Sequence, residues 1–125
     1  MPEKQYTILL VEDEEMLASM YETKFTKEGY KVVKASDGEM GVKLAGECQP
    51  DLILLDIIMP KMDGFSALKK IKEIESVKNV PVILLTNLGQ DEDIKKGQQL
   101  GSAGYLIKAN LTPAEVVVKI KEFLK

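Results

Sequence analysis

Asp56 is a carboxylate placed where a buried strand is expected to end. It follows the apolar run Leu52–Leu55 and is itself followed by Ile57 and Ile58. A run that is apolar at every position is typical of a strand buried on both faces of a parallel sheet. An ionised carboxylate inside such a strand would be very costly, whereas open α/β sheets bind ligands at the carboxyl ends of their strands. Asp56 is therefore a candidate site residue.

Other polar side chains close other apolar runs of the sequence. The first run ends in Glu12 and Asp13, the fourth in Thr86 and the fifth in Lys108. Because parallel strands end at one edge, these side chains are expected to converge on Asp56. Crowded carboxylates repel each other, and a hard divalent cation relieves that repulsion. An all-oxygen site with few protein ligands suits Mg²⁺, with Asp13 and Asp56 as direct ligands and Glu12 bound directly or through water.

The lysine and the hydroxyl indicate chemistry beyond metal binding. A cation and a hydroxyl that face a carboxylate-bound metal suit a phosphoryl group, whose oxygens need neutralising. Asp56 would then be the nucleophile that forms an acyl phosphate. The structural alternative is a set of strand-end carboxylates that pair with lysine and cap helices, because negative charge is favourable before any helix.

Composition excludes several classes of function. The chain contains no histidine, which rules out Ser-His-Asp and Cys-His catalysis, histidine metal ligands and a phosphohistidine of its own. A net charge of −3 offers no basic face for nucleic acid, and no segment is long and apolar enough for the membrane. Cys48 is the only cysteine, so an internal disulfide is impossible and packing is its expected role. A cytoplasmic location is expected.

Short apolar runs alternate with longer amphipathic segments along the chain. The runs are Tyr6–Val11, Lys31–Ala35, Leu52–Asp56, Val80–Thr86 and Gly104–Lys108. The segments between them place apolar side chains three and four residues apart, as amphipathic helices do. We predict one α/β domain over residues 1–125, with a five-stranded parallel, doubly wound (flavodoxin-like) sheet and five helices on both its faces. The strand order 2-1-3-4-5 is the common one for such sheets.

Local signals predict where the helices begin and end. The segments Ser36–Glu39 and Thr112–Glu115 match the pattern of a capping box. Gly29 and Gly101 fall where helices should end. The segment Asp91–Leu100 is the weakest helix candidate, because it has few apolar residues and an internal glycine, which costs about 1 kcal/mol relative to alanine. We predict a marginal, mobile element there.

Together these residues resemble the receiver domain of the response regulators of two-component signalling, in particular the single-domain, chemotaxis-receiver-like type. The order and spacing of the matching pieces carry the resemblance over nearly the whole chain. The pieces are Leu10–Glu14, Asp51–Gly64 with the motif M-P-K-M-D-G, Leu85 with Thr86, Gly101, and Tyr105–Lys108.

The resemblance implies that Asp56 accepts a phosphoryl group from a histidine kinase or histidine phosphotransfer protein, with Mg²⁺ required. The absence of histidine fits a donor supplied in trans. The implied metal ligands are Asp13, Asp56 and the backbone carbonyl of Ile58, with Glu12 assisting. Such a chain is a phosphoacceptor regulator and not an enzyme: it catalyses only its own phosphotransfer and autodephosphorylation.

The resemblance also implies a switch and an output surface. Thr86 is the implied hydroxyl that moves toward the phosphoryl group, and Lys108 is the implied phosphate contact. Tyr105 is the implied aromatic rotamer switch, with half-buried packing as the alternative. The output face would comprise the fourth helix, fifth strand and fifth helix. It would serve a downstream protein or a fused output domain, and it is a candidate homodimer contact.

Several positions depart from the family pattern. Ala109 follows Lys108 where proline is usual, often after a cis peptide; a non-proline cis peptide costs roughly 2.5–4 kcal/mol, so this loop is either trans and rearranged or strained. Asn87 follows Thr86 where a small residue is usual, and it would crowd or hydrogen-bond the phosphoryl oxygens. Ile58 and Leu88 are apolar where the family's side chains flank the path of the hydrolytic water. We therefore predict slow autodephosphorylation.

Competing classes of function fit the residues less well. A phosphatase of the haloacid-dehalogenase type also uses an aspartate nucleophile with Mg²⁺. It needs a second aspartate two positions on, where this chain has Ile58, and its cap would not fit in 125 residues. A phosphorylation-independent binding module would not need the intact acidic set. Flavin or dinucleotide binding lacks support, because no G-x-G-x-x-G opens the first helix.

Overall fold

A computed structural model describes residues 5–124, in which strands and helices alternate as expected. The expected domain boundaries at residues 1 and 125 lie outside the described part of the chain. The elements are β1 (Thr7–Val11), α1 (Glu15–Lys27), β2 (Lys31–Ala35), α2 (Gly38–Cys48), β3 (Leu52–Leu55), α3 (Gly64–Lys72), β4 (Val82–Thr86), α4 (Asp91–Gln99), β5 (Gly104–Ile107) and α5 (Pro113–Lys121), with a single 3₁₀ turn at Lys108–Asn110.

The sheet is parallel throughout and its order is β2-β1-β3-β4-β5, which confirms the predicted topology. Two of the expected strands are longer than the observed ones at the functional edge. Asp56 and Lys108 each lie one residue beyond the end of their strand. The last ladder pairs at this edge are Val11–Leu55 and Thr86–Ile107, and the backbone turns into a 3₁₀ turn at Lys108.

Alternate residues of each strand pack on opposite faces of the sheet, as a strand's two-residue period requires. In β3, Leu52 and Leu54 join the core beneath α1 and α5, while Ile53 and Leu55 join the core beneath α2 and α3. All of these β3 side chains are fully buried. The central strand therefore has no solvated face, as its unbroken apolar sequence predicts. Among residues 5–124, no helix has the length and apolar character needed to cross a membrane.

The helix ends confirm most of the predicted signals and correct one. Thr112 and Glu115 form the expected reciprocal capping box at the start of α5. The box predicted from Ser36 is wrong, because α2 begins one residue later. Asp37 is its N-cap and accepts the Met40 N–H at 2.8 Å. Glu39 is consequently the second helical residue, one position too early to close a box with the N-cap.

The helix α4 forms at the predicted place, and its internal glycine has a packing role. Gly97 is the buried residue of this helix. A Cβ atom added there would lie 2.7 Å from Leu84 Cδ1 and 3.5 Å from the Tyr105 ring. The missing side chain thus allows α4 to approach β4 and β5 closely. The predicted mobility of α4 stays a prediction.

Two glycine-to-alanine substitutions separate helix propensity from this packing role. A Cβ atom added at Gly46, in α2, would make only ordinary van der Waals contact, with Ile74 at 3.9 Å or more. Gly46→Ala should therefore raise the free energy of unfolding by about 0.5 kcal/mol. Gly97→Ala should lower it by about 1 kcal/mol, because overpacking against Leu84 outweighs the better propensity. Urea denaturation measures both, and equal stabilisation by the two variants would contradict the packing role.

Candidate functional site

The strand register brings the predicted site residues to one edge of the sheet. Val11 pairs with Leu55, so Glu12 and Asp56, which follow them, are neighbours. Thr86 ends β4 beside β5, which leads into Lys108. A cavity of about 270 Å³ opens at this edge, and its lining comprises Glu12, Asp13, Glu14, Asp56, Ile58, Thr86, Asn87 and Lys108.

Hydrogen bonds from the Ile57 backbone and from Lys108 hold the Asp56 carboxylate. Asp56 is 6% exposed. Its Oδ1 accepts the N–H of Ile57 at 2.7 Å, and its Oδ2 accepts from Lys108 Nζ at 2.6 Å. Its backbone N–H donates to the carbonyl of Val11 at 3.1 Å. These contacts fix the carboxylate in the lining of the cavity, one residue beyond the end of the strand.

A glycine behind Asp56 allows the next helix to start close to it. The N–H of Gly64, the first residue of α3, donates to the Ile57 carbonyl at 2.7 Å. A Cβ atom at this position would lie 2.2 Å from the carbonyl oxygen of Asp56. Only glycine fits this approach without displacing the backbone that carries Asp56. The sequence motif contained Gly64, but its contact with Asp56 was not predicted.

Glu12 and Lys108 complete a buried ionic cluster with Asp56. Glu12 is 4% exposed; its Oε1 accepts from Lys108 Nζ and its Oε2 accepts the Glu14 N–H at 3.0 Å. Burial raises the pKa of Glu12, although the bonds from Lys108 and Glu14 oppose this. Burial alone would lower the pKa of Lys108, but its hydrogen bonds to Asp56 and Glu12 leave that pKa above its ordinary value. Lys108 is therefore an ammonium at neutral pH.

Three acidic side chains at the cavity form a group that could hold a metal ion. Glu12, Asp13 and Asp56 each offer a carboxylate oxygen, and these oxygens lie within 4.8 Å of one another. Asp13 is exposed, while the other two are buried. The donor set contains oxygen alone, which suits hard cations such as Mg²⁺. The structural alternative accounts for the pairing of Lys108 with Glu12 and Asp56, and for Asp13 as negative charge before α1.

The two predicted switch residues meet at the peptide groups of Leu88. Thr86 is 1% exposed, and its Oγ1 accepts the Leu88 N–H at 3.2 Å. The Tyr105 hydroxyl donates to the Leu88 carbonyl. Burial, followed by the charges of Asp93 and Asp56, raises the pKa of Tyr105 to about 12. Tyr105 is half-buried and lies outside the cavity lining, so it contacts the site through the loop that contains Leu88.

The loop after β5 adopts the trans alternative. No cis peptide occurs within residues 5–124, and Lys108–Asn110 forms one 3₁₀ turn. The N–H of Ala109 donates to Asn87 Oδ1 at 2.9 Å. Two departures from the family pattern are thus in direct contact. The sequence shows each departure separately, and the signal that could have paired them is that both follow residues at the ends of neighbouring strands.

The residues expected to flank the path of water differ in exposure. The Ile58 side chain is 65% exposed and lines the cavity. Leu88 is half-buried and packs at the edge of the core under α2 and α3. The part of the Ile58 carbonyl in metal binding stays a prediction.

A doubly wound sheet of this order, with an acidic pocket at the carboxyl ends of β1 and β3 and a lysine after β5, defines a receiver-type regulator. The sequence model of the response regulator receiver domain matches residues 8–121, and the chain belongs to this family. Phosphorylation-dependent switching is the general function of such domains.

Relatives of the chain include transcriptional regulators. The probable transcriptional regulator ycf27 of Guillardia theta is 37% identical over 123 residues, which are 98% of this chain and 47% of that protein. The alkaline phosphatase synthesis transcriptional regulatory protein PhoP of Bacillus subtilis is 35% identical over 118 residues, 94% of this chain and 48% of that one. The chain spans about half the length of these curated relatives.

Solved structures agree with the fold. The chemotaxis protein CheY4 of Vibrio cholerae superimposes with a TM-score of 0.91 at 26% identity, covering 97% of this chain and 100% of that chain. A chain of the CheX–CheY–BeF₃–Mg²⁺ complex from Borrelia burgdorferi gives a TM-score of 0.87 at 31% identity, covering 96% and 90%. The resemblance and the flavodoxin-like fold inferred from the sequence are confirmed.

Removing the lysine tests the ionic cluster. Lys108→Ala leaves two buried carboxylates without their shared cation and should lower the free energy of unfolding by about 3–5 kcal/mol in a chelator-containing buffer. Adding Asp56→Asn to this variant should restore part of the loss, because one buried charge is removed. Urea denaturation of the two variants and the native chain measures these differences. Unchanged stability of Lys108→Ala would show that the lysine does not neutralise the acids.

Proposed function

We propose that residues 1–125 form one receiver domain that accepts a phosphoryl group on Asp56 from a histidine kinase or histidine phosphotransfer protein. The observation that supports this most directly is the Asp56 carboxylate in the cavity lining, with its Oδ2 2.6 Å from Lys108 Nζ. The chain has no histidine, so the donor is supplied in trans. The proposed function is to accept this phosphoryl group and switch in response, and not to catalyse a reaction on other substrates.

The transfer is a substitution at phosphorus. A carboxylate oxygen of Asp56 attacks the phosphorus of phosphohistidine; the new P–O bond forms as the P–N bond breaks, and its electron pair returns to the imidazole. Lys108 neutralises charge on the phosphoryl oxygens, and the Thr86 hydroxyl donates to one of them. Mg²⁺ held by Glu12, Asp13, Asp56 and the Ile58 carbonyl would supply further neutralisation of that charge.

The relay to a partner begins with an exchange of hydrogen bonds. When Thr86 turns its hydroxyl to the phosphoryl group, its Oγ1 releases the Leu88 N–H, and the loop after β4 is free to shift. The shift breaks the bond between Tyr105 and the Leu88 carbonyl, which allows the ring to change rotamer. The altered surface is the α4–β5–α5 face, the proposed contact for an output protein, a fused output domain or a second copy.

The proposed partners are proteins. Several relatives are transcriptional regulators about twice as long as this chain, which favours an output domain that acts on transcription. We do not assign nucleic-acid binding to residues 1–125 themselves, because their net charge is −3. The proposed location is the cytoplasm, where kinase and output partners of this kind act.

Phosphorylation by a small donor tests the acceptor role. Incubation with Mg²⁺ and acetyl phosphate should add one phosphoryl group, read by intact mass. Asp56→Asn should abolish the adduct because it removes the proposed nucleophile, although Glu12 also contacts Lys108 and lines the cavity. Asp91→Asn, at an exposed helix start, is the matched control and should keep it. An adduct on Asp56→Asn, or sustained turnover of unrelated phosphate esters, would count against this function.

The apolar flanks of the cavity predict a long-lived phosphate. Ile58→Asn with Leu88→Gln should speed phosphate loss roughly tenfold, because polar side chains can orient the hydrolytic water. The control is Ile58→Val with Leu88→Met, which keeps both positions apolar and should leave the lifetime unchanged. The decay of the phosphorylated mass after removal of donor is measured. An equal lifetime in the polar variant would refute the role of these side chains.

A further inference from the structure

Asn87 connects the two loops that carry Thr86 and Lys108. It directly follows Thr86 at the end of β4 and lines the cavity beside Asp56. Its Oδ1 accepts the N–H of Ala109, the residue after Lys108, at 2.9 Å. The exposed side chain thus lines the same cavity as the acceptor carboxylate and is bound to the turn that follows the lysine.

The partner of Asn87 determines which way its amide faces. A backbone N–H can only donate, so the oxygen of the amide must be the atom directed at Ala109. What remains is the NH₂ group, which donates two hydrogen bonds and accepts none. None of residues 5–124 accepts a hydrogen bond from it. Asn87 thus brings an uncommitted, uncharged donor to an acidic cavity.

Donors of this kind suit a phosphoryl group better than they suit the resting site. A phosphoryl group presents three strongly accepting oxygens, each with room for more than one donor. Lys108 in the resting site is already engaged by Glu12 and Asp56. An amide adds a donor without a further charge and, once its oxygen is fixed, without reorganisation at the moment of transfer.

We propose that Asn87 is a further phosphoryl-binding residue, which donates from its NH₂ group to an oxygen of the phosphoryl group on Asp56, and that the Ala109 N–H is the positioning group that orients it. This inference rests on the proposed function. It also assigns a role to Ala109: a proline there would have no N–H to donate, so the amide of Asn87 would lose its fixed orientation.

Beryllofluoride with Mg²⁺ is the probe, because it binds without covalent chemistry, and its affinity is read from backbone amide shifts by NMR. Asn87→Ala should lower the affinity about tenfold, the loss expected for one hydrogen bond to a charged group. Asn87→Asp should lower it further, because a carboxylate replaces the donor with a charge.

The exchange rate of the Ala109 amide proton reports the bridge independently of the probe. It should stay slow in Asn87→Asp, whose carboxylate still accepts this N–H, and become faster in Asn87→Ala. Ala109→Pro should lower the beryllofluoride affinity, and combining it with Asn87→Ala should cause no further loss. Asn110→Ser, at an exposed position of the same 3₁₀ turn, is the control and should bind as the native chain does.

The outcomes separate this inference from the function on which it rests. If the native chain binds beryllofluoride and Asn87→Ala binds it equally well, Asn87 only ties the loops and the inference is overturned. Independent losses from Ala109→Pro and Asn87→Ala would overturn the positioning role of Ala109. If the native chain neither binds beryllofluoride nor forms an adduct with acetyl phosphate, the proposed function fails and the inference fails with it.

Discussion

The buried pairing of Lys108 with Glu12 and Asp56 is the interaction on which the rest of the site depends. Strand register makes it necessary: Val11 lies beside Leu55, so two carboxylates follow next to each other at a poorly solvated edge. Such a pair would repel or take up protons without a nearby cation. The end of β5 supplies the cation, with Nζ 2.6 Å from Asp56 Oδ2. The same contact places the acceptor carboxylate beside the group that would neutralise an incoming phosphate.

The loops around this cluster are connected by few hydrogen bonds, and this gives the site a way to change shape. Leu88 is bound at its N–H by Thr86 and at its carbonyl by Tyr105. A change in the Thr86 hydrogen bond would therefore reach Tyr105 through Leu88 without any movement of the strands, which are packed on both faces. Asn87, between Thr86 and Leu88, is bound to the other loop. The sheet thus holds the charges in place while the loops after β4 and β5 carry the adjustable contacts.

The strands, and the candidate site residues that follow them, could be predicted from the sequence because both depend on local patterns. The strand order is assigned as the common one for such sheets, and Ile58 and Tyr105 enter only through the family resemblance. The apolar run before Asp56 predicts a buried strand, and parallel strands necessarily end at one edge. The N-cap at Asp37 is harder to predict, because Ser36 and Asp37 are both good N-cap residues. Which of them caps depends on whether the helix begins at Asp37 or at Gly38. The Asn87–Ala109 bond depends on two loop conformations at once, and no local pattern encodes their meeting.

Asp56 is, among several carboxylates at this edge, the proposed carrier of the phosphoryl group. Borohydride reduces an acyl phosphate to an alcohol and leaves free carboxylates unchanged, so it marks the acceptor permanently. The chain would be phosphorylated with acetyl phosphate and Mg²⁺, reduced, digested and mapped by peptide mass spectrometry. The reduced side chain is expected at position 56 and at no other carboxylate. Reduction at Glu12 or Asp13, or at no carboxylate despite a phosphoryl adduct, would contradict it.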